Sequence, residues 1–145
     1  MPQTTQRFEN HRRLFPLYHC VAMPIVAVNV IVAVVDVVRH PSLHAAWYAV
    51  FAVGVAAGVF ASRVSVLTVQ DRLIGLEMRL RLAAVLPDQL RTRIPDLGLR
   101  QLIALRFAGD EELPLLVQRC LAGELRSPDE VKREIRQWRA DFVRA

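Results

Sequence analysis

The sequence predicts an all-α integral membrane protein: a transmembrane hairpin of two helices, the second extended into the cytoplasm and followed by small amphipathic helices. Three observations carry this. Of 145 residues, 53% are hydrophobic and 23% charged, yet the two kinds are segregated. Residues 14–69 hold almost all the long apolar runs and 70–145 most of the charge. A soluble domain interleaves them at helical or strand period. Two apolar runs, 17–38 and about 43–62, are each long enough as helices to cross a hydrocarbon core of about 30 Å. The arginines flanking these runs are distributed asymmetrically.

The chain divides into a flank (1–16), a first span (17–38), a short outer loop (39–43), a second span with an interfacial end (44–69), a helical extension (70–86) and a helical region (87–145). The flank is basic, with Arg7, Arg12 and Arg13. The first span holds one charge, Asp36, near its far end. Its valines do not argue against a helix, because backbone in lipid must satisfy its own hydrogen bonds. Pro16 suits a first helical turn, and Pro24 should kink the helix. Arg39-His40-Pro41-Ser42 breaks it, since Pro41 drives His40 out of helical geometry. Trp47 and Tyr48 suit an interfacial belt at the start of the second span. Arg63 marks the way out and can snorkel.

Orientation follows from the same arginines. Arg7, Arg12 and Arg13 precede the first span, and Arg63, Arg72, Arg79 and Arg81 follow the second, whereas the loop holds only Arg39. The positive-inside rule places both termini in the cytoplasm and the loop outside.

From about residue 43 to 86 no proline and, past Ser62, only Gly75 interrupts helical sequence, so one helix is expected to run into the cytoplasm until Pro87 ends it. Pro95 and Gly98 mark a linker. Residues 99–108 read as a short helix closed by Gly109-Asp110. Leu113, Leu116, Val117, Cys120 and Leu121 form an apolar stripe with Gly123 at the C-cap. Ser127-Pro128-Asp129-Glu130 is a capping box with Pro at the first helical position. Val131, Ile135, Trp138 and Phe142 then form the stripe of a last helix.

The net charge is +5, carried almost wholly by arginine, with Lys132 the only lysine. This fits cationic cytoplasmic flanks, and also an anionic partner such as phospholipid headgroups. Cys20 and Cys120 are too few for a disulfide framework and read as small packing residues. The apolar run follows Cys20 where a lipoprotein leader would precede it, so no such leader is read.

Several constellations are candidates for contacts. Asn29 and Asp36 share a face of the first span with His40, and polar groups in a span should meet protein or water. Gly54, Gly58 and Ser62 recur every four residues, a small-residue row that lets another helix approach closely, expected to be the first span. Val66, Val69, Leu73, Leu76, Leu80 and Ala83 alternate spacings of three and four, an a/d heptad stripe. Arg72 falls at g and Glu77 at the following e, the spacing of an attractive pair across a parallel two-stranded coil. The stripe could instead pack on the chain's own C-terminal helices; Leu67, Ile74, Met78 and Leu82 give the helix a second apolar face. Arg91, Arg93, Arg100, Arg106, Arg133, Arg136 and Arg139 are candidate anion-binding groups. Asp110, Glu111, Glu112, Asp129 and Glu130 sit at expected helix N-termini, where they complement the dipole.

No catalytic pattern appears: there is no G-x-S-x-G, no phosphate-binding loop and no C-x-x-C. His19 lies near one end of the hairpin and His40 and His44 near the other, and Pro41 spoils a metal site between the latter two. No enzyme activity, cofactor, metal or haem is expected.

The chain resembles a family of bacterial membrane proteins of unknown function over nearly its whole length. The resemblance rests on Asn10-His11 with Phe15-Pro16-Leu17-Tyr18-His19, on Arg39-His40-Pro41-Ser42, on Gln70-Asp71-Arg72 with Arg79-Leu80-Arg81, on 101–108, on Asp110 with Glu112-Leu113-Pro114, and on Lys132, Ile135, Trp138-Arg139 and Asp141. It implies two spans and a cytoplasmic helical region in a bacterial inner membrane, and supplies no activity or site residues. The functional expectation is a non-enzymatic scaffold or small accessory subunit, in a homo-oligomer or a larger membrane complex. The alternative is a tethered module whose arginines meet anionic lipid or, less favoured, nucleic acid.

Overall fold

The structure, a computed structural model, describes residues 15–139. The described residues form two compact units, 15–67 and 68–139.

In the first unit, α1 spans Leu17–Arg39. It opens as a π-helix over Leu17–Ala22 and continues as α-helix over Met23–Arg39. Pro24 explains the change. It has no N–H to give to the carbonyl one turn back, and its ring crowds that carbonyl. The backbone widens instead, and the Met23 N–H donates to the Tyr18 carbonyl. His40 then leaves helical geometry (φ −132°, ψ 70°) ahead of Pro41. The helix α2, Leu43–Val85, begins where the Ser42 hydroxyl accepts from the Ala45 N–H at 3.1 Å. Both helices are long and apolar enough to cross a membrane, and only 6% of each apolar window is buried. A core helix of a soluble protein would be mostly covered. Val28, Ile31, Val32, Phe51 and Phe60 all face outward.

In the second unit, the C-terminal part of α2 meets four short helices: α3 (Asp88–Arg91), α4 (Leu99–Leu105), α5 (Leu113–Leu121) and α6 (Pro128–Glu134). One core joins Ile74, Met78 and Leu82 of α2, and Leu86 just past its end, to Leu102, Leu105, Phe107, Leu113, Val117 and Val131. The expected linker before α4 is more structured than its prolines implied. A 3₁₀ turn, Ile94–Asp96, buries Ile94, and Leu97 is buried beside it. Gly98 donates its N–H to the Gln101 side chain at 3.0 Å, and the amide of that residue reaches the Leu125 carbonyl at 2.9 Å. Gly75 has a packing reason, since a Cβ there would lie 2.5 Å from Cδ1 of Leu99.

Two expectations about the C-terminal region are corrected. The helix from Leu99 ends at Leu105, short of Ala108. The last helix stops at Glu134, with Ile135 extended. Trp138 is therefore not on a helical stripe; it pairs with Ala108 in an isolated antiparallel bridge. Arg139 N–H donates to the Phe107 carbonyl at 2.7 Å and Gly109 N–H to the Gln137 carbonyl at 2.9 Å. Three contacts outbid helix continuation. The Trp138 ring lies 5.2 Å from that of Phe107, and Glu112 accepts the N–H groups of Arg136 and Gln137 at 3.1 and 3.2 Å. Phe142 lies outside the described residues. At the start of α6, the capping box forms: Ser127 accepts from the Glu130 N–H, and the carboxylate of Glu130 accepts from Ser127 and Arg126 N–H groups. Those backbone donors hold the Glu130 carboxyl below the usual carboxylate range.

Leu82 is fully buried, whereas Leu115 on α5 is 61% exposed. Leu82→Ala is expected to lower the unfolding free energy of the second unit by about 2–5 kcal/mol, and Leu115→Ala by less than about 0.5 kcal/mol. Chemical denaturation followed by Trp138 fluorescence checks both.

Candidate functional site

Within the first unit, the buried residues are small. Ala33 of α1 and Ala45 and Ala52 of α2 are buried. One polar bond accompanies them: Asn29 Nδ2 donates to the Tyr48 hydroxyl at 3.1 Å. The Arg63 guanidinium lies over the Tyr18 ring at 5.4 Å. Asp36 turns to its own helix end, 3.1 Å from Nδ1 of His40. The shared face of Asn29 and Asp36 thus divides into one bond between helices and one within a helix.

The Gly54, Gly58 and Ser62 row does not take up the contact expected with the first span. A Cβ at either glycine would meet nothing within 4 Å, and the Ser62 hydroxyl donates back to the Gly58 carbonyl at 2.8 Å. The covered small residues of α2 are alanines. Ala45, Ala49, Ala52 and Ala56 recur at spacings of four, three and four, with Ala45 and Ala52 buried and Ala49 and Ala56 partly so; alanine is so common in apolar helices that this spacing carries little signal in sequence.

In the second unit, α2 sorts its two apolar faces cleanly. Ile74, Met78 and Leu82 are buried in the core, while Leu73 and Leu76 are each 54% exposed and Leu80 66%. Val69 is exposed as well, as is Val66 at the end of the first unit. The heptad stripe is left open, and the second apolar face does the packing within the chain.

Arg81 fastens that packed face. Its Nε lies 2.8 Å and its Nη2 2.6 Å from Oδ1 of Asp110. Nη1 donates to the Arg106 carbonyl at 3.1 Å and Nη2 to the Ala108 carbonyl at 2.7 Å. Asp110 and Glu112 are thus more than helix-dipole residues: one anchors Arg81, and the other gathers backbone N–H groups of 136 and 137. Sequence spacing offered no signal for either, because their partners lie 29 and about 25 positions away.

The seven candidate anion-binding arginines do not form one set. Arg91 pairs with Asp88 at 3.0 Å and Arg93 with Asp96 at 3.1 Å. Arg106 is buried, its guanidinium 4.3 Å over the Phe107 ring. Arg100, Arg133, Arg136 and Arg139 are exposed. Arg119 joins Glu124 at 2.9 Å and Glu134 at 2.7 Å, and these bonds, Glu134 first, raise its pKa. Among the described residues, no group of three or more His, Cys, Asp or Glu is placed to hold a metal ion.

Burial pushes the Cys120 thiol up to about 11, against the opposing charge of Arg119. At pH 8 about one such thiol in a thousand is ionised. Cys120 is therefore expected to resist alkylation by iodoacetamide in the folded chain and to react on denaturation, as mass spectrometry of the modified peptide would show.

A search of the curated proteins found no match, and a search of the solved structures found none either. Comparison with known families matches residues 1–145 to a family of unknown function, DUF6526. Covered from end to end by that match, the chain belongs to the DUF6526 family.

Proposed function

We propose that the chain is a non-enzymatic scaffold or small accessory subunit of the bacterial inner membrane. It would sit there as a two-span hairpin with both termini in the cytoplasm and act through helix-to-helix contacts. The observation that carries this reading is the open stripe of α2: Leu73, Leu76 and Leu80 stay exposed while Ile74, Met78 and Leu82 on the same helix are buried. Apolar side chains in heptad spacing gain free energy only when covered. The outward valines and phenylalanines of α1 and α2, together with 6% burial of each apolar window, support the bilayer as the solvent of the first unit. The arginine asymmetry supports the orientation. The open Gly54, Gly58 and Ser62 row offers a second helix contact.

The alternative, an arginine surface for anionic lipid or nucleic acid, has less support. Such surfaces need converging unpaired cations, whereas Arg91 and Arg93 are neutralised locally and Arg106 is buried.

Two measurements test the reading. The chain is expected to stay with the membrane through alkaline carbonate extraction, and to elute from a mild-detergent pull-down in an assembly larger than its own 16.4 kDa plus bound detergent. Release by carbonate, or a monomer without any partner, would overturn it.

A further inference from the structure

Resting on the membrane reading above, we propose that the open stripe of α2 is the seam of a parallel homodimer, in which Arg72 of each copy meets Glu77 of the other.

The stripe has a coiled-coil register. Val69, Leu76 and Ala83 fall at d, and Leu73 and Leu80 at a; Val66 occupies the preceding a position. The buried residues Ile74, Gly75, Met78 and Leu82 then fall at b, c, f and c. These are the positions a two-stranded coil turns away from its partner. The chain's own core therefore occupies the back of the coil and leaves the seam clear.

The flanking charges select the occupant. Arg72 and Glu77 are exposed, and neither makes an ion pair or a side-chain hydrogen bond among the described residues. This sets them apart from Arg81, Arg91, Arg93 and Arg119, all of which find carboxylates within the chain. In a parallel pair of helices, g faces the following e of the partner, so Arg72 meets Glu77 twice by symmetry. Ser65 meets Gln70 by the same rule, two polar groups able to hydrogen-bond. In an antiparallel pair g faces g, and Arg72 would oppose Arg79. Copies inserted in one bilayer with the same topology hold their α2 helices parallel, the one direction in which this charge pattern attracts.

The seam is short, little more than two heptads, and a free peptide of that length would not hold as a coil. Tethering supplies what is missing. Membrane-held helices share a direction and a high effective concentration, so a modest interface suffices.

The test uses the full chain, with C20A and C120A removing native thiols, reconstituted at low density in lipid vesicles. V69C and L80C sit at the two ends of the seam, and L115C, similarly exposed on α5, is the control. A short bismaleimide is expected to crosslink V69C chains to one another and L80C chains to one another, and to leave L115C monomeric. R72E is expected to lower both crosslinked fractions roughly three- to tenfold, and the double exchange R72E/E77R to restore them. Failure of both end sites to crosslink overturns the proposal, as an antiparallel pair would produce. Equal crosslinking through L115C, or a double exchange that does not recover, overturns it too. If the seam fails while the mild-detergent pull-down yields a stoichiometric foreign protein, the homodimer falls and the scaffold reading stands. If neither a crosslink nor a partner is found, both fall.

Discussion

The guanidinium of Arg81 is the interaction on which the second unit depends. One side chain projecting from α2 ties together the carboxylate of Asp110 and the carbonyls of Arg106 and Ala108. Those groups lie where α4 has ended and the chain turns toward α5. Past the end of a helix the carbonyls have no intrahelical donors, and the planar arginine fork satisfies two of these at once, those of Arg106 and Ala108. Because the side chain is largely buried, its charge is tolerable only with Asp110 beside it. With the end of α4 fixed, Phe107 is placed against Trp138, and the bridge between Ala108 and Trp138 can form. Glu112 then gathers the N–H groups of 136 and 137, which closes the path back from α6.

Fixing the bundle on one side of α2 decides what happens on the other. A helix has room for two apolar faces, but small neighbouring helices cover only one. Here the covered face is that of Ile74, Met78 and Leu82, and Leu99 approaches so closely at Gly75 that a β-carbon there would collide with it. The face of Leu73, Leu76 and Leu80 is left exposed. Arg72 and Glu77, unpaired among the described residues, border that face, and the dimer proposed above rests on this division.

The large features were legible in the sequence because they depend on local signals. The two long helices follow from uninterrupted apolar runs, the hairpin from Pro41, and α5 and α6 from their stripe, Gly123 and the Ser127 capping box. The continuous α2 followed from the lack of breakers before Pro87. What escaped depends on distant partners. Period alone extended the last helix through Trp138, but a tilted ring contact with Phe107 and the acceptor Glu112 lie more than twenty positions back. The glycine row fits a hairpin contact by its spacing, a pattern common by chance in Gly/Ala-rich helices; Gly54 and Gly58 face open space, while Ala45 and Ala52 are buried. The two apolar faces of α2 were both visible, and spacing had no means of choosing between them; Leu102, Phe107 and Val117 share a core with Ile74, Met78 and Leu82 and leave the other face open. The candidate arginines looked equivalent in sequence, and only folding separated buried Arg106 and paired Arg91 and Arg93 from the exposed remainder.

Native-state hydrogen exchange on Arg81→Met in the full chain probes this organisation most directly. Methionine keeps most of the apolar stem and removes the fork. Amides of Ala108, Gly109 and Arg139 should exchange at least about tenfold faster than in the parent chain, while those in the middle of α2 keep their protection. Unchanged protection at Ala108 and Arg139 would contradict it, as would an equal loss along every helix, since either result would mean that the bundle is held on α2 by something other than Arg81.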